Sequence, residues 1–105
     1  MKIVMAYITT SDTDEARKIG RVLVESKLVA CVNIFSDMNS MYVWKGQFQD
    51  DHEAVMIAKT TQDKVPMLIE TVKANHSYEC PCIVTLPVAD GYRGFLDWIV
   101  EQVKS

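Results

Sequence analysis

The chain reads His76-Ser77-Tyr78-Glu79-Cys80-Pro81-Cys82 at the point where a helical pattern gives way to an apolar strand. These seven residues combine an imidazole, a phenol, a carboxylate and two thiols, and no other part of the sequence is so rich in ligand-type side chains. The segment therefore marks the join between a helix and the last strand, and it contains the main candidates for a binding site.

Hydrophobic periodicity predicts the elements on either side of this segment. In chain order they are a strand at Lys2–Thr9, a helix running to about Lys27, a strand at Val29–Phe35 ended by Ser36–Ser40, a hairpin at Lys45-Gly46, a strand running to Lys59, a helix begun by Thr60–Asp63, a strand at Cys82–Val88 and a C-terminal helix marked by Tyr92, Phe95, Leu96, Ile99 and Val103. The predicted fold class is α+β, a ferredoxin-like βαββαβ antiparallel sheet with helices on one face, plus the C-terminal helix.

Three local details are predicted at turns. Either Ser11 with Asp14 or Asp12 with Glu15 has the spacing of a capping box at the start of the first helix. Gly46 is expected to take a positive φ in the hairpin. The polar residues Gln49–Glu53 interrupt the strand pattern, which indicates a solvated bend or bulge in one long strand.

Length and composition limit the function classes. A chain of 105 residues predicts a single domain, 1–105, and 49% hydrophobic against 24% charged residues is typical of an ordered core. The net charge of -3, with no Lys/Arg cluster, argues against nucleic acid as a partner. No apolar run or signal-peptide pattern indicates a membrane or secretion, so cytoplasmic residence with free thiols is expected.

A sheet covered on one side leaves its other face bare. Bulky residues cluster around the hairpin, namely Met41, Tyr42, Trp44 and Phe48. Such a surface predicts packing against other copies of the chain.

The His76–Cys82 segment has two interpretations. His, Glu and Cys are competent ligands for copper or zinc, which makes the segment a candidate metal site. The simpler interpretation, favoured on the residues alone, is that Cys80 and Cys82 lie on one side of a strand, Tyr78 packs and His76 caps a helix. Cys80 with a nearby His and Glu has the residue types of a nucleophilic enzyme, but their spacing does not indicate alignment, and no phosphate-binding glycine motif is present.

Five stretches along the chain form a recognisable set. In order they are Ala30-Cys31-Val32-Asn33-Ile34, Ser40-Met41-Tyr42-Val43-Trp44-Lys45-Gly46, Lys59-Thr60-Thr61, His76-Ser77-Tyr78-Glu79-Cys80-Pro81 and Phe95-Leu96-Asp97-Trp98. Through them the chain resembles, across most of its length, the divalent-cation tolerance (CutA) family. The resemblance implies a PII-like, cytoplasmic homotrimer that takes part in the response to divalent metal ions and is not an enzyme.

The resemblance also implies a metal site, which we predict at His76, Glu79 and Cys80 with weakly bound Cu²⁺ or another divalent cation such as Zn²⁺. Three positions depart from the family pattern: Ser77 replaces a proline, Ile8 replaces a cysteine found in some relatives, and Asn75 replaces a second histidine. A copper site built from those family ligands is therefore not intact, and Cys80 with Cys82 is the candidate replacement.

Two other hypotheses stay open. One is a PII-like signalling or small-molecule-binding module with its site at a subunit cleft. The other is a structural role, in which Tyr78 and Glu79 bond across the subunit boundary and the segment stabilises the trimer.

Overall fold

The computed structural model describes residues 2–104, so the two ends of the predicted domain, residues 1 and 105, lie outside the described residues. The elements are β1 Ile3–Thr10, α1 Thr13–Glu25, β2 Cys31–Trp44, β3 Gln47–Thr61, a short 3₁₀ turn Gln62–Lys64, α2 Val65–Asn75, β4 Ile83–Pro87 and α3 Arg93–Gln102. The four strands form one sheet in the order β2-β3-β1-β4, with every neighbouring pair antiparallel. The predicted βαββαβ architecture with an added C-terminal helix is confirmed.

The main core lies between the sheet and the helices α1 and α2. Alternate residues of β1 and β3, including Ala6, Ile8 and Met56, pack with Leu23 of α1 and Leu68 of α2. Helix α1 approaches the sheet closely at Gly20, where an added Cβ would lie 3.0 Å from a methyl group of Val32. The candidate segment begins at the end of α2, the helix that packs on this core.

Helix α3 belongs to a second, smaller cluster. Ile99 and Val103 pack with Ile3 and Ala30, and none of these four residues belongs to the main core. Because side chains alternate along a strand, Ile3 and Val4 point to opposite faces of the sheet. Val84 and Leu86 of β4 lie on the same face as Ile3. Apart from its contact with α3, that face of the sheet is largely uncovered.

The first helix begins with the Asp12 and Glu15 pair. The Glu15 amide donates to the Asp12 side chain at 2.8 Å, and the Ser11 amide donates to the Glu15 carboxylate at 3.0 Å. Of the two predicted capping pairs, the structure contains this one. The helix ends at Glu25, two residues before the predicted end, and Lys27 then takes a positive φ of 61°.

Strands β2 and β3 form a long hairpin in which two predictions were wrong. Residues Ser36–Ser40 do not end β2, which continues to Trp44, and β3 is unbroken through Gln49–Glu53. The irregularity lies instead in β2, where Phe35 pairs with Val55 and Met38 with Glu53, so that Ser36 and Asp37 oppose a single residue. This is a β-bulge, and Asp37 takes a φ of 59° within it.

Beyond the bulge the hairpin leaves the rest of the sheet. Strand β1 pairs with residues 54–61 of β3, so residues 38–53 form a two-stranded ribbon. Its tip is a two-residue turn in which Lys45 and Gly46 have φ angles of 51° and 79°, the signs of a type I′ turn. The ribbon exposes Met41, Tyr42, Val43, Trp44 and Phe48.

Candidate functional site

The segment from His76 to Cys82 connects α2 to β4 and forms one wall of a cleft beside the ribbon. The cleft has a volume of about 450 Å³ and is lined by Thr9, Tyr42, Trp44, Glu53, Ser77, Tyr78, Glu79, Cys80 and Cys82. Five of these nine lining residues come from the segment itself. The segment is therefore part of a concave site, and its individual side chains decide what the site can bind.

His76 is the buried anchor of the segment. Its side chain is 0% exposed, its Nε2 lies 2.7 Å from the Thr9 carbonyl oxygen, and its Nδ1 accepts the Tyr78 amide at 3.0 Å. A carbonyl oxygen only accepts and an amide only donates, so Nε2 donates to Thr9 and Nδ1 accepts from Tyr78. Both ring nitrogens are engaged, and a metal could bind His76 only if one of these hydrogen bonds were broken.

Ser77 is held from the opposite side by α1. Its amide donates to the Glu15 carboxylate at 2.8 Å, and the other carboxylate oxygen accepts from the amide and the hydroxyl of Ser11. Burial alone would raise the pKa of Glu15, but the hydrogen bonds from Ser11 and Ser77 outweigh it and lower that pKa. A proline at position 77, as in the family pattern, could not donate this bond, so Ser77 adds an anchor that the family residue lacks.

Tyr78 is fixed by a carboxylate on β3. Its hydroxyl donates to Glu53 at 2.6 Å, and Glu53 is only 7% exposed. Burial and this hydrogen bond raise the pKa of Tyr78, so the phenol keeps its proton. The predicted solvated bend at Gln49–Glu53 is therefore wrong for Glu53, which lies on the buried end of the ribbon.

The second half of the segment is exposed. Glu79 pairs with Lys45 of the hairpin turn at 3.2 Å, and both side chains are 68% exposed. Cys80 and Cys82 are free thiols, and both are exposed to solvent in the cleft. The Cys82 carbonyl accepts the Thr9 amide at 3.3 Å, which continues the pairing of β1 with β4 by one residue.

The three predicted metal ligands do not occupy equivalent positions. Glu79 and Cys80 line the cleft, whereas the His76 ring is buried behind it and bonded at both nitrogens. Within residues 2–104, no three His, Cys, Asp or Glu side chains are grouped so that they could hold a metal ion. A single copy of the chain thus lacks a preformed three-ligand divalent site among its described residues.

Three residues that hold the segment were missed in the sequence. Glu15 and Glu53 come from different elements, and each bonds to a residue more than twenty positions away, as does Lys45. Of the three, only Glu15 could be located from the sequence nearby, because the capping pattern places its carboxylate at the start of α1. The partner of Tyr78 could be found only from the register of β3.

Tyr78 and Glu79 both have partners within one copy of the chain, Glu53 and Lys45. The phenol has a single proton, and Glu53 accepts it. The idea that these two residues bond across a subunit boundary is therefore not needed to explain their positions.

Among residues 2–104, no helix has the length and apolar character needed to cross a lipid bilayer.

The comparisons with known proteins identify the family of the chain and agree with the fold. The model of the CutA1 divalent ion tolerance protein family matches residues 4–102. The divalent-cation tolerance protein CutA of Thermus thermophilus is 46% identical over 98 residues, which cover 93% of this chain and 95% of that protein.

Solved structures give the same result. The structure of the periplasmic divalent cation tolerance protein CutA from Archaeoglobus fulgidus has a TM-score of 0.94 and 42% identity, and the match covers 97% of this chain and 99% of that one. CutA1 from Oryza sativa has a TM-score of 0.96 and 32% identity, and the match covers 99% of this chain and 95% of that one. The chain belongs to the CutA1 divalent ion tolerance family, which supports a role in metal tolerance.

Proposed function

We propose that this protein contributes to metal tolerance by binding divalent cations reversibly in the cleft, without catalysing a reaction. The observation that carries the proposal is that two metal-competent side chains, Glu79 and Cys80, are exposed together in one cleft of a CutA1-family chain. Carboxylate and thiolate are suitable donors for Cu²⁺ and Zn²⁺.

His76 has a positioning role in this proposal. Its two hydrogen bonds fix the start of the segment, so they favour a structural histidine over a ligand. With only Glu79 and Cys80 available from one copy, binding is weak, because the remaining positions around the ion are filled by water. Cu²⁺ and Zn²⁺ stay the predicted ions.

The assembly in this proposal is a homotrimer. A two-stranded ribbon is marginally stable alone in water, yet residues 38–53 expose five large apolar side chains. Burial of those side chains against other copies of the chain would stabilise the ribbon. Sedimentation equilibrium of the wild type is expected to give three times the chain mass, and Phe48→Glu to shift the mass downward; a monomeric wild type at micromolar concentration would contradict this assembly.

The protein is proposed to act in the cytoplasm and to have no nucleic-acid partner. Its net charge of -3 and its free cysteines support this assignment. The Archaeoglobus relative is described as periplasmic, so location differs from the proposal in at least one family member. Fractionation of the native cells with an antibody to the chain tests it.

Calorimetric titration with Cu²⁺ and Zn²⁺ tests the proposed site. Glu79→Gln and Cys80→Ser are expected to weaken binding by more than about tenfold. Two matched controls should keep wild-type affinity: Cys31→Ser, and Glu101→Gln, whose carboxylate pairs with Lys104 at 3.3 Å with the same 68% exposure as the Glu79 pair. Equal affinities in all variants would overturn the site.

A PII-like small-molecule function is the second candidate. The observation that favours it is the aromatic lining of the cleft by Tyr42, Trp44 and Tyr78, because binding sites for organic ligands are concave and largely apolar. A thermal-shift screen of nucleotides and small carboxylates tests it, since a ligand of the native state raises the melting temperature. A hit that Trp44→Ala abolishes would support this function over metal binding.

A further inference from the structure

We propose that Cys80 and Cys82 together form a two-thiolate site for a soft monovalent d¹⁰ cation such as Cu(I). This inference rests on the proposed metal function and names the class of ion that these two side chains would take. It concerns a different donor pair from the one proposed for divalent ions, because it includes Cys82 and excludes Glu79.

Cys80 and Cys82 are separated by a single residue and lie just before β4, which begins at Ile83. The Cys82 carbonyl accepts the Thr9 amide, and Pro81 between the two thiols has a restricted φ angle. Both thiols line the same cleft.

This spacing favours a bridging metal over a disulfide. A disulfide needs Cβ atoms about 3.8 Å apart in a specific geometry, and both cysteines are free. Two metal–sulfur bonds of about 2.3 Å placed end to end span roughly 4.6 Å, so the proposed site requires the two thiols to rotate to about that separation. Cu(I) is selected by soft thiolates and is satisfied by two ligands in a line.

The surroundings of the thiols also fit such an ion. Both cysteines are exposed residues with free thiols. The nearby Glu79 is neutralised by Lys45, so it adds little repulsion to a site that carries one net negative charge after binding. Pro81 has a fixed φ angle, so the chain between the thiols loses less conformational freedom when the ion binds.

The two protons of the thiols are released when the thiolates bind one Cu(I), so the oxidation states of copper and sulfur do not change.

Anaerobic competition between the full-length protein and a chromophoric Cu(I) chelator, with a phosphine reductant, tests the proposal. The wild type and the matched thiol control Cys31→Ser are expected to take one Cu(I) per chain, and Cys80→Ser and Cys82→Ser to lose more than about tenfold in affinity. Wild-type affinity in Cys82→Ser, or loss of affinity in Cys31→Ser, would overturn it. Circular dichroism of each variant checks that its fold is intact.

The same variants separate this inference from the proposed function. Cys82→Ser should lose Cu(I) but bind Cu²⁺ and Zn²⁺ like the wild type, because Cys82 is outside the divalent pair. Divalent binding without any Cu(I) binding would overturn only the present inference. Cu(I) binding without divalent binding would overturn only the divalent site.

Discussion

The two halves of the His76–Cys82 segment differ in what holds them. His76, Ser77 and Tyr78 bond to three separate elements through Thr9, Glu15 and Glu53. The second half is exposed, and its side-chain contact is a surface ion pair with Lys45. The difference teaches that a segment rich in ligand-type residues can divide into a part that is bonded into the fold and a part that stays exposed, where we propose that binding occurs.

The largest effect on stability is expected for His76→Ala. The change removes a buried ring and leaves the Thr9 carbonyl and the Tyr78 amide without their partner, which costs about 3 kcal/mol of unfolding free energy. Urea denaturation measures it. His52→Ala is the matched control, because the His52 side chain is 75% exposed, and it should behave like the wild type. Equal stability of the two variants would contradict the claim that the first half of the His76–Cys82 segment holds the fold.

A smaller loss, about 2 kcal/mol, is expected for Tyr78→Phe, since the nearly buried Glu53 carboxylate loses its hydrogen-bond donor. Tyr42→Phe is the matched control. It removes a similar phenol-to-carboxylate bond, 2.8 Å to Asp51, from the exposed ribbon. Denaturant midpoints that fall equally in the two variants would show that burial does not determine how much the hydrogen bond contributes to stability.

Glu15→Gln is expected to cost about 1 kcal/mol near neutral pH, because the hydrogen bonds from Ser11 and Ser77 are stronger to a charged carboxylate. The folded pKa of Glu15 is lowered, so its contribution is fully present above the unfolded value of about 4.3 and is lost as the pH falls through the folded pKa. The difference from the wild type should thus shrink below about pH 4.

Thermal unfolding from pH 7 to 3 measures that change, with Asp14→Asn as a control for charge in the first turn of α1. A constant difference between wild type and Glu15→Gln over this range would mean that the carboxylate charge does not hold Ser77.

The smallest effect on stability is expected for Cys80→Ser and Cys82→Ser. Both side chains are exposed, so the unfolding midpoint should match that of the wild type while Cu(I) binding is lost. Calorimetric melting in the absence of metal checks this. A drop in stability as large as that of His76→Ala would place the thiols in the structural half.

Much of the fold was readable from the sequence because helix and strand periods, the Lys45-Gly46 turn and the capping residues are local signals. The bulge at Ser36 and Asp37 was not, because the same polar residues fit the end of a strand and only the pairing with Val55 and Glu53 distinguishes the two. The polar residues at Gln49–Glu53 likewise predicted a bend that the structure does not contain, because polar residues fit both a break in a strand and a continuous strand.

The sequence singled out the segment that lines the cleft, but not the contacts that hold it. The segment does line a cleft, and His76 is at the helix end as the simpler interpretation required. The bonds that bury its ring come from Thr9 and Tyr78, and the anchors Glu15 and Glu53 are distant in sequence. Contacts between residues that are distant in the sequence leave no periodic pattern in it. Residue type alone could therefore not distinguish the buried His76 from the exposed residues of the same segment.

The most direct measurement is ¹⁵N NMR of the imidazole nitrogens before and after addition of Zn²⁺ or Cu(I), both of which are diamagnetic. The chain has two histidines, so His52→Ala assigns the signals of His76. We expect His76 to be neutral with its proton on Nε2 and to keep that state when the ion binds. Binding that shifts either His76 nitrogen to a metal-coordinated value would contradict the division of the segment into a structural half and a binding half.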